Sequence, residues 1–174
     1  MFRYQAVVER VVQQVRAQKS GRDDACCTML KSNALIVPMS TSQNPHAVPL
    51  PTDKELVLKV IPMPADCNQN GDIFGGWVMA QVDLAGAVLP ARYVKGRMAT
   101  VAVNEFIFKH PVKVGDILSF FSHVQRIGNT SISVKVEVFA ERFSAQGEYM
   151  KVTEATLTYV AIDETGKPRV IPKD

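Results

Sequence analysis

Residues 74–93, FGGWVMAQVDLAGAVLPARY, are apolar on nearly every side. The run shows little two-residue alternation and is rich in Ala, Met and Leu, which predicts one long helix. A helix apolar all round cannot lie on a surface; it must be enclosed. The rest of the chain is therefore constrained to wrap it.

The segments around it read as strands. One, over 55–63 (ELVLKVIPM), precedes the helix and ends at Pro62 and Pro64. Four follow, over 98–109, 117–127, 131–139 and 149–162. They are separated by His110-Pro111 and PVKVGD, by Gly128-Asn129, and by a turn at Gly147; Gly166-Lys167-Pro168 then turns into the tail. In the fourth of the five strands, Ile132, Val134, Val136 and Val138 alternate with Ser131, Ser133, Lys135 and Glu137. That is the period of a half-buried strand. Short turns force antiparallel pairing. The expected fold is α+β: one antiparallel sheet of five or more strands wrapped round one central helix. The sheet covers one side of the helix and leaves the other needing a second subunit, so dimerisation is expected.

Two unlike parts meet near residue 50, giving an extension and linker over 1–53 and a single domain over 54–172. In residues 1–18 the apolar Val7, Val8, Val11, Val12 and Val15 have helical spacing, with Arg and Gln opposite. The plain reading is a helical or partly disordered extension; a surface or targeting helix is the alternative. Residues 20–53 are polar and proline-containing, as a linker is. Met39 precedes an ordinary-looking start, STSQNPHAVPLPTDKE, and translation is expected to begin there.

A net charge of +3 is too small to argue for nucleic acid, and suits an anionic small ligand held by a few local cations. Three cysteines, Cys26, Cys27 and Cys67, with no CxxC spacing, argue against a disulfide framework and a zinc site. A reducing, cytoplasmic setting is expected, with no membrane span, metal or cofactor.

Two features carry chemistry. Asp83 lies inside the apolar helix, where an ionised carboxylate is costly unless paired or used. Its plain alternative is a carboxylate satisfied by neighbouring donors, or one facing solvent. The small Ala85, Gly86 and Ala87 beside it leave room for a substrate or a partner strand. The second feature is the loop over 70–77, NGDIFGGW, which puts Gly75 and Gly76 at the helix start. Their N–H groups and the helix dipole suit an oxyanion. Asp72 occupies an N-cap's place there, with orienting water as the second option. An oxyanion donor and a carboxylate two turns on make an acyl-transfer constellation. A thioester fits so spare a site, because a thiolate leaves without a strong general acid. Asp83 would act as general base or as nucleophile; the residues leave both open.

The run MPADCNQNGDIFGGWVMAQVDLAGA, with HPVKVGDIL, IGNTSISVKVEV and TEATLTYVAIDETGKPRVIP, closely resembles the YciA-type acyl-CoA thioesterases of the hotdog superfamily. The resemblance covers roughly residues 55–172. It implies a hotdog fold, hydrolysis of acyl-CoA, Asp83 as the catalytic carboxylate and Gly75 and Gly76 as holders of the thioester oxygen. It also implies a site between two subunits and a trimer of dimers. Two positions depart from the family pattern. Pro90 stands where relatives carry a helix former, and is expected to kink the helix or end it early. Ile107 stands where some relatives place Asn, so acyl preference does not carry over.

CoA carries phosphates, so basic and amide-rich turns are expected round the pocket mouth. Candidates are Asn70, Lys109, Arg126, Arg142, Arg169 and the turn Gly128, Asn129, Thr130 and Ser131, which offers N–H groups and hydroxyls together. Gln43-Asn44-Pro45-His46 superficially matches a hydratase element but lies in the linker with the wrong spacing. No GxSxG, GxGxxG or Walker loop is present. His110 and His123 are expected to be structural and Cys67 an incidental thiol. The alternative function is a non-catalytic acyl-CoA sensor on the same fold.

Overall fold

The computed structural model describes residues 45–172. The readings for residues 1–44, including the helical spacing of 1–18 and the start at Met39, lie outside the described residues. The described residues form one compact unit. Its ties to the sheet begin ahead of residue 54, since the Val48 N–H donates to the Tyr149 carbonyl at 2.7 Å.

Strand β1 (Glu55–Val60) is followed by a 3-10 turn (Pro64–Asp66), helix α1 (Gly75–Val94), then β2 (Met98–Phe108), β3 (Ile117–Ile127), β4 (Ser131–Glu141) and β5 (Tyr149–Ala161). The sheet order is β1-β3-β4-β5-β2, antiparallel throughout. This is the expected single sheet against one long helix. β1 stops three residues short of the expected end, because Pro62 and Pro64 cannot donate to a ladder.

The alternation in β4 is real: Ile132, Val134, Val136 and Val138 are all fully buried. They form one core with Leu118 and Phe120 of β3, Leu157 and Tyr159 of β5, and Val78, Val82, Ala85 and Val94 of α1. The opposite side of α1 is open. Met79 and Leu84 are exposed there, and edge strand β2 shows Val101, Val103, Ile107 and Phe108. Among the described residues, nothing encloses that side of the helix.

Pro90 does not end the helix early. It lies inside α1, which continues to Val94. Two things hold the last turn: Val94 is fully buried, and the Arg169 guanidinium donates to its carbonyl at 2.7 Å. Lys95, in the left-handed region at φ 48°, then terminates the helix.

Candidate active site

Asp83 is placed by α1 and anchored by the sheet. Thr100 of β2 donates its hydroxyl to Asp83 Oδ1 at 2.8 Å. The Tyr159 hydroxyl of β5 donates to the Asp83 carbonyl at 2.9 Å and lies 3.2 Å from Oδ1. One carboxylate oxygen is thus held by two hydroxyls, while Oδ2 takes no hydrogen bond from the described residues. Tyr159 is 1% exposed. Burial first, and then the Asp83 carboxylate, push its phenol well above the usual tyrosine range, so it stays a donor.

The glycine loop builds a second locus. Helix α1 begins at Gly75, and its N-cap is Phe74, which has no side chain able to cap. The expectation that Asp72 caps the helix is therefore corrected. Asp72 is drawn the other way: its N–H donates to Asn68 Oδ1 at 3.2 Å and its carbonyl accepts from the Asn68 N–H at 2.7 Å. It also forms an isolated bridge to Lys113. The first N–H groups of α1 are left without a side-chain cap, as an oxyanion site requires. A Cβ at Gly75 would stand 3.1 Å from the Phe108 ring, so the ring would have to give way. Beside Gly76 a Cβ would meet nothing within 4 Å, so that position faces open space. A cleft of about 360 Å³ opens here, bordered by Asn68, Asp72, Gly75, Phe108, Lys109 and His110.

The structure thus gathers Asp72, Gly75 and Lys109 round one cleft, with Asn70 adjoining through its N–H to Asn68 Oδ1 at 2.8 Å. It places Asp83 elsewhere. Asp83 lies eight residue steps beyond Gly75 on the helix, about 12 Å along the axis.

The basic candidates divide. Lys109 pairs with Glu154 at 2.8 Å. With Lys151 it holds the Glu154 carboxyl down at about 2. Arg142 is paired with the buried Asp116 and donates to the Pro111 carbonyl at 2.9 Å. Arg169 caps the far end of α1 and donates to the Ile162 carbonyl at 3.2 Å. Both arginines thus make hydrogen bonds within their own chain. Arg126 is exposed near the end of β3.

The turn of Gly128, Asn129, Thr130 and Ser131 uses its own donor, Gly128 N–H to the Ser131 carbonyl at 2.7 Å. The Asn129 carbonyl accepts from Ile171, and that of Thr130 from Ala161. Ala161 pairs with Met98, at the end of β2 remote from Phe108. The turn and the glycine loop therefore sit about 30 Å apart along the sheet of one chain.

Sequence reasoning missed Asn68, Thr100 and Tyr159. Asn68 stood in plain view in CNQNGD, where Asn favours turns by bonding backbone two residues on. Thr100 and Tyr159 carried no local signal, being 17 and 76 residues from Asp83. His110 borders the cleft and its ring lies 5.0 Å from that of His46.

With that geometry in hand, comparison with known proteins is specific. The thioesterase superfamily model matches residues 70–142. The acyl-CoA thioester hydrolase YciA of Salmonella typhimurium is 46% identical over 120 residues, covering 68% of this chain and 90% of that protein. Among solved structures, a hexameric thioesterase from Yersinia pestis is 44% identical with a TM-score of 0.67, covering 72% of this chain and all of that one. A hexameric hotdog-fold thioesterase of Campylobacter jejuni is 43% identical with a TM-score of 0.64, covering 68% and 90%.

Proposed function

We propose that this chain, which belongs to the YciA-type acyl-CoA thioester hydrolases of the thioesterase superfamily, cleaves acyl-CoA on its single hotdog domain with Asp83 as the reacting carboxylate. The observation that carries the role of Asp83 is its asymmetric anchoring. Oδ1 is fixed by Thr100 and Tyr159, and Oδ2 remains for a water or for the thioester itself.

In the general-base route Oδ2 takes a proton from water, whose oxygen attacks the thioester carbon. In the nucleophilic route Oδ2 attacks directly, giving a mixed anhydride that water then hydrolyses. In both, the Gly75 and Gly76 amides hold the oxyanion. The C–S bond breaks as CoA thiolate leaves, and the thiolate takes up a proton afterwards. The products are free CoA and a carboxylic acid.

The 12 Å or so between Asp83 and Gly75 along one helix is too long for both to grip one carbonyl group. That supports a site shared between two copies, the carboxylate of one meeting the glycine loop of the other. The open apolar side of α1 and the unpaired edge of β2 support self-association for the same reason. The hexameric relatives support a trimer of dimers. In such an assembly Asn70, Lys109, Arg126, Arg142, Arg169 and the turn of Gly128, Asn129, Thr130 and Ser131 remain the candidates to meet CoA phosphates. Among the described residues no helix is long and apolar enough to cross a membrane.

The test is CoA release from short, medium and long acyl-CoAs by wild type and Asp83→Asn, with circular dichroism on both. Turnover that falls about 10²-fold or more in the variant is expected. Full turnover in a folded Asp83→Asn would move the chemistry elsewhere, with Asp72 next to be changed. Binding of acyl-CoA without any turnover would favour the sensor reading.

A further inference from the structure

We propose that Tyr159 is a positioning residue for the Asp83 carboxylate, and that Gly86 is glycine so that the Tyr159 hydroxyl can reach it; this rests on Asp83 being the reacting group.

Glycine in a helix interior is unfavourable against alanine. Gly86 opens the fourth turn of α1 at a buried position. An added Cβ would fall well inside contact distance of the Tyr159 hydroxyl, 3.4 Å from the Tyr159 ring carbon Cζ and 3.4 Å from Leu157 Cδ1. The space left by the missing side chain is therefore filled by the phenolic oxygen, not by substrate or a partner strand. From there the hydroxyl donates to the Asp83 carbonyl at 2.9 Å and stands 3.2 Å from Oδ1. A buried tyrosine hydroxyl needs a partner. Its one proton is shared, with the Asp83 backbone carbonyl at 2.9 Å as the nearer acceptor and Oδ1 at 3.2 Å as the longer one, so a single hydroxyl ties the helix turn and the carboxylate together. Thr100 approaches the same oxygen from β2. Together they hold Asp83 by one oxygen from two strands and leave the other to react. A side chain so fixed loses less freedom on reaching the reactive geometry.

The full-length protein is assayed on whichever acyl-CoA the wild type turns over fastest. The set is wild type, Tyr159→Phe, Gly86→Ala, the double variant and Asp83→Asn, with kcat, KM and Tm for each. Tyr159→Phe is expected to lower kcat about tenfold, the scale of one lost hydrogen bond to a charged group, with KM within about twofold. Gly86→Ala is expected to lower both Tm and kcat, since the methyl displaces the hydroxyl. The double variant discriminates. Without the hydroxyl the methyl fits, so Tm recovers relative to Gly86→Ala while kcat stays at the Tyr159→Phe level.

Recovery of kcat together with Tm in the double variant would show a merely structural tyrosine and overturn the proposal. So would wild-type kcat in Tyr159→Phe beside an inactive Asp83→Asn, which leaves the catalytic role of Asp83 standing. An active, folded Asp83→Asn would instead remove both readings at once.

Discussion

Glu137 of β4 and Glu154 of β5 stand directly opposite each other as a cross-strand pair. Two carboxylates so placed repel, and they are tolerated because lysines surround them. Lys54 and Lys151 pair with Glu137. Lys109, Lys151 and Lys135 reach Glu154 at 2.8, 2.6 and 3.7 Å. Burial works to raise the Glu137 carboxyl, yet the hydrogen bonds from Lys151 and Lys54 outweigh it and the net direction is down.

This cluster predicts a specific acid sensitivity. Glu154, bonded first by Lys109 and then by Lys151, titrates near about 2 when folded against 4.5 ordinarily. The unfolded chain therefore binds protons more readily, and the cluster's contribution is complete above about pH 4.5 and is lost as pH falls toward about 2. Melting temperature should drop across that window. Glu154→Gln should melt lower than wild type at pH 7 and show a shallower slope between those limits. A variant whose slope equals that of wild type would place the acid sensitivity in other carboxylates.

The two glycines that open α1 should separate under substitution to alanine. At Gly75 the new methyl meets the Phe108 ring at 3.1 Å, so the ring must move and both Tm and turnover fall. At Gly76 the methyl meets nothing, and helix propensity alone should hold or raise stability, by up to about 1 kcal/mol. Loss of turnover in a Gly76→Ala enzyme of undiminished Tm would then report on substrate approach rather than folding. Equal loss of Tm in both variants would contradict the packing described.

Removing Arg142 should destabilise far more than removing Arg126. Asp116 is 2% exposed, and Arg142→Met strands its charge, at a cost of roughly 3 kcal/mol. Arg126 is exposed, and Arg126→Ala should stay within about 0.5 kcal/mol of wild type. Urea midpoints for the two variants check this; near-equal midpoints would mean that the Asp116–Arg142 pair contributes little.

What the chain reveals before folding depends on how far each signal reaches. The alternation of Ile132, Val134, Val136 and Val138 is local, and β4 could be read from it directly. Asp83 was legible as a single anomaly, one carboxylate in an apolar helix. Its anchors were not, because Thr100 and Tyr159 reach it only through tertiary packing. Asp72 was misread for a related reason. Its position counted back from Gly75 suits a cap, but Asn68 competes for its backbone through the loop. Pro90 was read by its intrinsic cost, whereas burial of Val94 and the bond from Arg169 outweigh that cost. The structural partners of Arg142 and Arg169, Asp116 and the Val94 carbonyl, were not legible either, because they lie 26 and 75 residues away.

Thr100, one of the two hydroxyls on Asp83 Oδ1, belongs to β2, the sheet edge whose outer side pairs with no strand among the described residues. An edge strand frays more readily than a central one. A lone protomer would then hold its carboxylate on a loose hinge, while assembly along that edge would tighten it. Catalytic competence would become a cooperative property of protein concentration: dilution would first unfasten the carboxylate and only later unfold the domain.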